Sequence, residues 1–269
     1  MRRSYLTKLA VFSVILVFKK VFQTVENAKI QHNSIKLFKN QKNQPPKISL
    51  ISIRGERHSG TSWLRRIISK NCPNLVTKQP THNRNSTVLD SDEKYGWKHA
   101  AFKPDLKIEE NDLIIIVFRN FSSWLPRLRL QTYEKIPKSG LIMTDFLREP
   151  WKGGVRIDGD VDEKWKNVFE MRSSKYESWF EFILKHPDKA VGVSYEELVA
   201  DSEVFVRKIE TVFGLECEKI FIPVNGYTKH GREKVFKRFS EEKYEWGEED
   251  AEYASKMVNF DLESRLGYL

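Results

Sequence analysis

The chain has 269 residues, 40% of them apolar, which is enough for one good core plus extensions. Its net charge of +9 sits in the first fifty residues, where ten Lys/Arg face the single acid Glu26, so the rest of the chain is balanced. The pI of 9.3 therefore marks a basic arm and lends no support to a nucleic-acid-binding surface on the folded part.

That arm carries an apolar run, Leu9 to Phe18, with Arg2, Arg3 and Lys8 before it and Lys19 and Lys20 after it. The run is shorter than the about 20 residues of a standard membrane span, although Tyr5 to Thr7, Val21 and Phe22 lengthen it if the flanking lysines snorkel. Residues 1–22 read as a short uncleaved signal-anchor, since no A-x-A cleavage site is evident. A cleaved signal peptide and an interfacial helix are the alternatives. Residues 23–47 are rich in Asn, Gln and Lys, close with Pro45-Pro46, and read as a polar stem. Residues 48–269 are left for one folded domain. Cys72 and Cys217 make neither a disulfide framework nor a C-x-x-C zinc motif, and their pairing stays open.

The domain opens on an alternating apolar run, Ile48 to Ile53, that predicts a strand. A loop bracketed by Gly55 and Gly60 follows, and Trp63, Leu64, Ile67 and Ile68 then recur at helical spacing. Strand, Gly-containing loop and helix form the arrangement that cradles a phosphate, because loop N–H groups and the positive helix end point at the anion. Gly55, Gly60 and Ser62 fit the G-x-x-x-x-G-K-[ST] spacing, but Thr61 stands where that template has lysine. The lysine serves nucleoside triphosphates, so a 5′-phosphate or short mixed anhydride fits better than ATP. Cations enter earlier instead, at Arg54 and Arg57, with His58 beside them.

Arg57-His58-Ser59-Gly60-Thr61-Ser62-Trp63-Leu64 resembles the 5′-phosphosulfate-binding loop of sulfotransferases that use PAPS (3′-phosphoadenosine 5′-phosphosulfate). The resemblance implies an α/β fold of three layers, a parallel sheet flanked by helices, of the P-loop-like sulfotransferase kind. It implies cofactor contacts from Arg57, His58, Ser59, Gly60, Thr61, Ser62 and Trp63. His58 departs from the lysine usual in cytosolic members; Arg57 matches the arginine often found nearby in Golgi members.

Residues 71–93 read as a polar surface excursion, and Asn85-Ser86-Thr87 within it is an N-glycosylation sequon. Trp97-Lys98-His99 resembles the family segment that supplies the general base. His99 is expected to take the acceptor proton, and Lys98 to stabilise charge on the bridging oxygen. Leu113 to Phe118 is a continuous apolar run, as in a strand buried on both faces of a parallel sheet. Arg119-Asn120 at its end resembles the family's 3′-phosphate site, where a guanidinium fork suits a dianion. Phe121 replaces the common proline and Arg127 stands where serine is frequent. Either Arg127 binds the phosphate itself, or Ser122 or Ser123 caps the next helix and supplies the hydroxyl. The second sequon, at Asn120, is expected to be folded into the site and unmodified.

A helix is predicted near 123–133, with Pro126 in its first turn, then an irregular stretch from Ile136 to Asp162. Trp151, Lys152 and Arg156 in that stretch suit an acceptor surface, with a solvated loop as the alternative. Trp165 to Lys185 reads as one helix, with Arg172 and Lys175 on a solvated face or, alternatively, turned to the site. Ala190 to Ser194 predicts a strand. Tyr195-Glu196-Glu197-Leu198, similar to a family step, reads as a structural helix start capped by Ser194, the helix continuing to Gly214. The basic segment Lys229 to Arg238 matches the family's nucleotide-closing loop poorly, with Lys229 and Arg232 as its candidate contacts. Residues 241–269 read as a helix plus tail.

Together these features imply in-line sulfuryl transfer from PAPS to an acceptor hydroxyl, by default on a glycan, with no metal. The setting implied is the Golgi membrane, single-pass type II, with the membrane reached through the N-terminal segment and no nucleic-acid partner. Two alternatives differ in class: a P-loop-type nucleotide kinase, and a catalytically inactive membrane-tethered binder of PAP, the desulfated nucleotide.

Overall fold

A computed structural model of the chain describes residues 47–78, 95, 98–102, 105–130, 141–152, 164–229, 232–235 and 246–268. The N-terminal anchor segment, nearly all of the stem, the Asn85 sequon, Trp97, Arg156 and His230 to Gly231 lie outside them. Among the described residues no helix is long and apolar enough to cross a membrane.

In chain order the elements are β1 (Leu50–Gly55), α1 (Thr61–Asn71), β2 (Val76–Lys78), β3 (Asp112–Phe118) and α2 (Phe121–Leu130). Next come α3 (Met143–Arg148), β4 (Trp151–Lys152), β5 (Lys164–Trp165), α4 (Val168–Lys185) and β6 (Ala190–Ser194). The last are α5 (Tyr195–Ala200), α6 (Ser202–Phe213), β7 (Gly226–Lys229), β8 (Arg232–Val235), α7 (Glu248–Met257) and α8 (Phe260–Arg265). Among the described residues the main sheet is four-stranded and parallel, ordered β2-β1-β3-β6. The chain leaves β1 toward β2 on one side and crosses back to β3 on the other. In such sheets the crevice at the carboxyl ends of the strands flanking this reversal is where ligands bind.

Every residue of β3 is buried. Its side chains alternate between two cores, as the strand period requires. Leu113, Ile115 and Val117 join Ile51 and Ile53 of β1 and meet Leu64, Ile67 and Ile68 of α1 with Phe205, Val206 and Ile209 of α6. Ile114, Ile116 and Phe118 face Tyr176, Trp179 and Phe182 of α4 and Leu262 of α8. Helices thus cover both sheet faces, and each fully buried Ile or Leu contributes about 1.5–3 kcal/mol. A third core joins Trp124 and Leu128 of α2, Phe146 of α3, Trp151, Phe169 and Ala254.

Several expected boundaries move for identifiable reasons. The helix after β3 starts at Phe121 because the Asn120 side chain accepts from the Ser122 N–H at 2.9 Å. Pro126 therefore lies beyond the first turn and removes the bond to the Ser122 carbonyl. Asn167 caps α4, accepting from Phe169 and Glu170 N–H groups, so Trp165 falls in β5 and pairs with Trp151. Trp151 is buried against Phe146, which removes it from any acceptor surface. The single helix expected from Tyr195 to Gly214 breaks at Asp201, whose side chain caps α6 by accepting from Val204 N–H at 3.0 Å. Among the described residues, part of the expected excursion after α1 is the edge strand β2, and the C-terminal region holds two helices.

Cys72 and Cys217 are joined, closing a separation of 145 residues. The segment after Cys217 is then pinned along α1. Asn71 Oδ1 accepts from Ile222 N–H at 2.7 Å, and Trp63 Nε1 donates to the Val224 carbonyl at 2.9 Å. This strap runs from the end of α1 back to its start and delivers the β7–β8 hairpin there.

Candidate anion-binding and transfer site

Three segments meet at the carboxyl edge of the sheet: the loop after β1, Arg119-Asn120 after β3, and Tyr195-Glu196 after β6. Their strands are adjacent in register, Gly55 opposite Val117 and Phe118 opposite Ser194. Close approach dictates the loop's glycines. Gly55 has φ +148°, and a Cβ there would lie 2.4 Å from the Val117 carbonyl oxygen; at Gly60, φ +96°, a Cβ would lie 2.7 Å from the Tyr195 ring. His58 takes the left-handed conformation at φ 63°, which costs a non-glycine residue about 1–2 kcal/mol.

Glu56 organises the loop from inside. Its carbonyl accepts from the Ser59 N–H at 3.1 Å and the Ser59 hydroxyl at 2.6 Å, and its Oε1 accepts from the Arg57 N–H at 2.8 Å. Its Oε2 accepts from Lys175 Nζ of α4 at 2.6 Å in a buried ion pair. The carbonyls of Arg57 and His58 are taken by Trp124 Nε1 at 2.9 Å and Arg119 Nη1 at 2.7 Å. The loop's carbonyls are thereby turned toward protein donors. Gly60, the N-cap of α1, provides no side-chain cap, and the first turn holds no acid. Such a helix start leaves N–H groups and a positive end suited to an anion.

Arg119 is buried beside this loop. Its Nε donates to Ser123 Oγ at 3.0 Å and its guanidinium carbon lies 4.2 Å from the Tyr195 ring centroid. Ser123 Oγ donates in turn to Glu196 Oε1 at 3.0 Å, and the same oxygen accepts from the Asn120 N–H. Burial lowers the Arg119 pKa from its ordinary value, Tyr195 and Glu196 oppose this, and the Arg127 charge adds to it. Arginine stays cationic throughout. Ser123 and Arg127 are one helical turn apart, so they share a face of α2. Behind Arg119, Arg172 Nη2 donates to its carbonyl at 2.8 Å while Nε donates to Glu263 Oε1 at 2.7 Å. Burial works against the Arg172 charge, but the Glu263 carboxylate outweighs it and holds the pKa above its ordinary value.

The 98–99 segment is hooked onto the loop from the other side. The Gly55 N–H donates to the Lys98 carbonyl at 3.1 Å, and His99 Nδ1 bonds the Gly55 carbonyl. A carbonyl accepts only, so Nδ1 carries the hydrogen and the basic lone pair lies on Nε2. Burial, then the cations Lys98 and Arg57, push the His99 pKa well below its ordinary value despite the opposing Gly55 bond. The imidazole is therefore neutral, the state a general base needs.

The loop residues Arg57 to Trp63, with Lys98, His99, Arg119, Ser123 and Arg127, lie at or next to this edge, in differing roles. Ser59 is fully buried and closes the loop on itself. Trp63 packs edge-on to Tyr195 and pins the strap. Thr61 is buried, and Ser62 is exposed at the helix start. Arg54 belongs to β1 and lies over the Phe102 ring at 5.0 Å, outside the loop. Arg172 and Lys175, expected mainly on a solvated face, are both buried, because Glu263 and Glu56 provide partners. Asn120 is buried as a helix cap. Sequence reasoning missed Glu56, Tyr195 and Glu196 as parts of the site. The available signal was position, since each lies within three residues of the end of a predicted strand. No protein-family model matches the chain, and no curated protein matches it at a significant level.

Proposed function

We propose that the protein is a PAPS-dependent sulfotransferase of the P-loop-like fold, acting on an acceptor hydroxyl, by default of a glycan. The observation that carries this reading is the contact between two anion-binding elements, the loop at the start of α1 and the Arg119–Ser123 pair, through the 2.7 Å Arg119–His58 bond. A nucleotide with anionic groups on both its 5′ and 3′ positions needs two such elements side by side. Among the described residues, cations also outnumber acids here. Besides the matched pairs Lys175–Glu56 and Arg172–Glu263, the edge holds Arg57, Lys98, Arg119 and Arg127 with Glu196 opposing them.

The residues suited to the 5′-phosphosulfate are Arg57 and the N–H groups of His58, Gly60, Thr61 and Ser62, and those suited to the 3′-phosphate are Arg119 with Ser123 or Arg127. When bound, PAPS supplies the sulfuryl group: its bond to the bridging phosphate oxygen breaks as a bond from sulfur to the acceptor oxygen forms. His99 Nε2 takes the acceptor proton, while Lys98 and Arg57 stabilise charge on the departing phosphate oxygen. The joined Cys72–Cys217 supports an oxidising compartment, in keeping with a Golgi-lumen enzyme carried on an N-terminal anchor.

The test is calorimetric titration of the full chain with PAP, and separately with ATP plus Mg²⁺, followed by a PAPS-dependent transfer assay over glycan acceptors. Saturable PAP binding with transfer supports an enzyme, and PAP binding without transfer to any acceptor supports an inactive binder. Metal-dependent ATP binding without a PAP response overturns the reading in favour of a kinase, for which Thr61 and Arg119 stand where a lysine and a metal-holding acid belong.

A further inference from the structure

A carboxylate is an unexpected organiser for a loop that receives an anion. Glu56 is only 1% exposed, between Gly55 and Arg57, where its charge opposes a phosphate or sulfate at the start of α1. It is matched from the opposite layer of the fold. Lys175 of α4, 3% exposed and 5.3 Å from the Trp165 ring centroid, donates to Oε2 at 2.6 Å. The other oxygen accepts the Arg57 N–H at 2.8 Å. One oxygen thus folds the loop and the other receives the balancing charge.

From these contacts we infer that Lys175 is a positioning residue for the loop: its ammonium holds Glu56 in its loop-folding geometry and cancels its charge, so that the loop accepts an anion. This rests on the anion-binding role proposed above. Charges in a buried site act with little screening, so a bare Glu56 carboxylate reaches the ligand position with full effect. Lys175 also acts on His99, whose proton affinity is lowered by burial, Lys98, Arg57 and, more weakly, Lys175, against the bond to the Gly55 carbonyl. Substituting both partners leaves an amide at position 56 whose oxygen still accepts the Arg57 N–H. A packing role for Lys175 predicts the opposite, that losing both partners is no better than losing one.

The experiment titrates PAP into the full-length wild type, Lys175→Met, Lys175→Arg and the double variant Glu56→Gln/Lys175→Met. In parallel, the His99 imidazole is titrated by NMR without ligand. Lys175→Met is expected to weaken PAP binding about a hundredfold, with the double variant returning to within about tenfold of wild type and Lys175→Arg keeping most of the affinity. His99 is expected to titrate at higher pH in Lys175→Met, where a cation is lost beside a bare carboxylate, and to move back in the double variant. Equal weakening in the single and double variants, or an unmoved His99, overturns the inference. If the wild type binds no PAP, the sulfotransferase reading fails, and the His99 titration alone decides the role of Lys175. If Lys175→Met unfolds, a folded double variant supports charge matching and an unfolded one overturns it.

Discussion

On one face of the sheet, β1 and β3 meet α1 and α6, whose buried residues include no charged side chain. On the other face, α4 carries Arg172 and Lys175 into the interior alongside Tyr176 and Trp179, at helical spacing on one stripe. Arg172 reaches the Arg119 carbonyl and Lys175 reaches the Glu56 carboxylate, so both serve the carboxyl edge. The apolar face supplies cohesion. The charged face costs desolvation and positions the loop after β1 and Arg119, a use for which buried ion pairs are better suited than for stability. Stability and site geometry are thereby assigned to different layers.

The comparison can be broken by substitutions that cross it. At the edge, His99→Ala is expected to lower kcat about a thousandfold while PAP affinity stays within a few-fold, since a positioned base typically contributes that much. Steady-state rates with a calorimetric titration check this, and an unchanged kcat would remove His99 as the base. On the apolar face, Ile115→Ala is expected to cost about 3 kcal/mol of stability in urea denaturation. PAP affinity should stay unchanged in the folded protein; a loss of affinity would show that the faces are not separable.

Smaller effects sharpen the picture. Replacing both Cys72 and Cys217 by Ala frees the strap from the end of α1 and is expected to cost about 2 kcal/mol of stability, read from the same denaturation. The smallest effect is pH-dependent. His99 is buried neutral with its folded pKa depressed, so below its ordinary value of 6.5 the unfolded chain takes up a proton that the folded chain refuses. Stability should therefore fall as pH drops below 6.5, by at most about 1.4 kcal/mol per unit from this group. His99→Gln should flatten that slope, measured by urea denaturation across the window.

Much of the α/β framework was legible because its signals are local: the apolar run at β3, the glycine spacing after β1 and the Ser194–Glu197 capping box each lie within a few residues. The buried charges of α4 were not. Lys and Arg on a helix are ordinarily solvated, and the carboxylates that pair these two inside, Glu56 and Glu263, are distant in the sequence. Trp151 misled for the same reason, since an aromatic in a Gly-rich stretch looks available until Phe146 covers it. The break at Asp201 was missed because a cap inside an amphipathic run leaves the periodicity almost intact.

The central claim is that the loop and Arg119 form one site for a nucleotide carrying both a 3′-phosphate and a 5′-phosphate group. Calorimetric titration of the full chain with PAP, without Mg²⁺, tests it directly when repeated on Arg119→Ala. The account predicts saturable binding to the wild type, weakened about a hundredfold in the variant by loss of a buried charged partner. Equal affinity in both proteins, or no binding to the wild type, would contradict it.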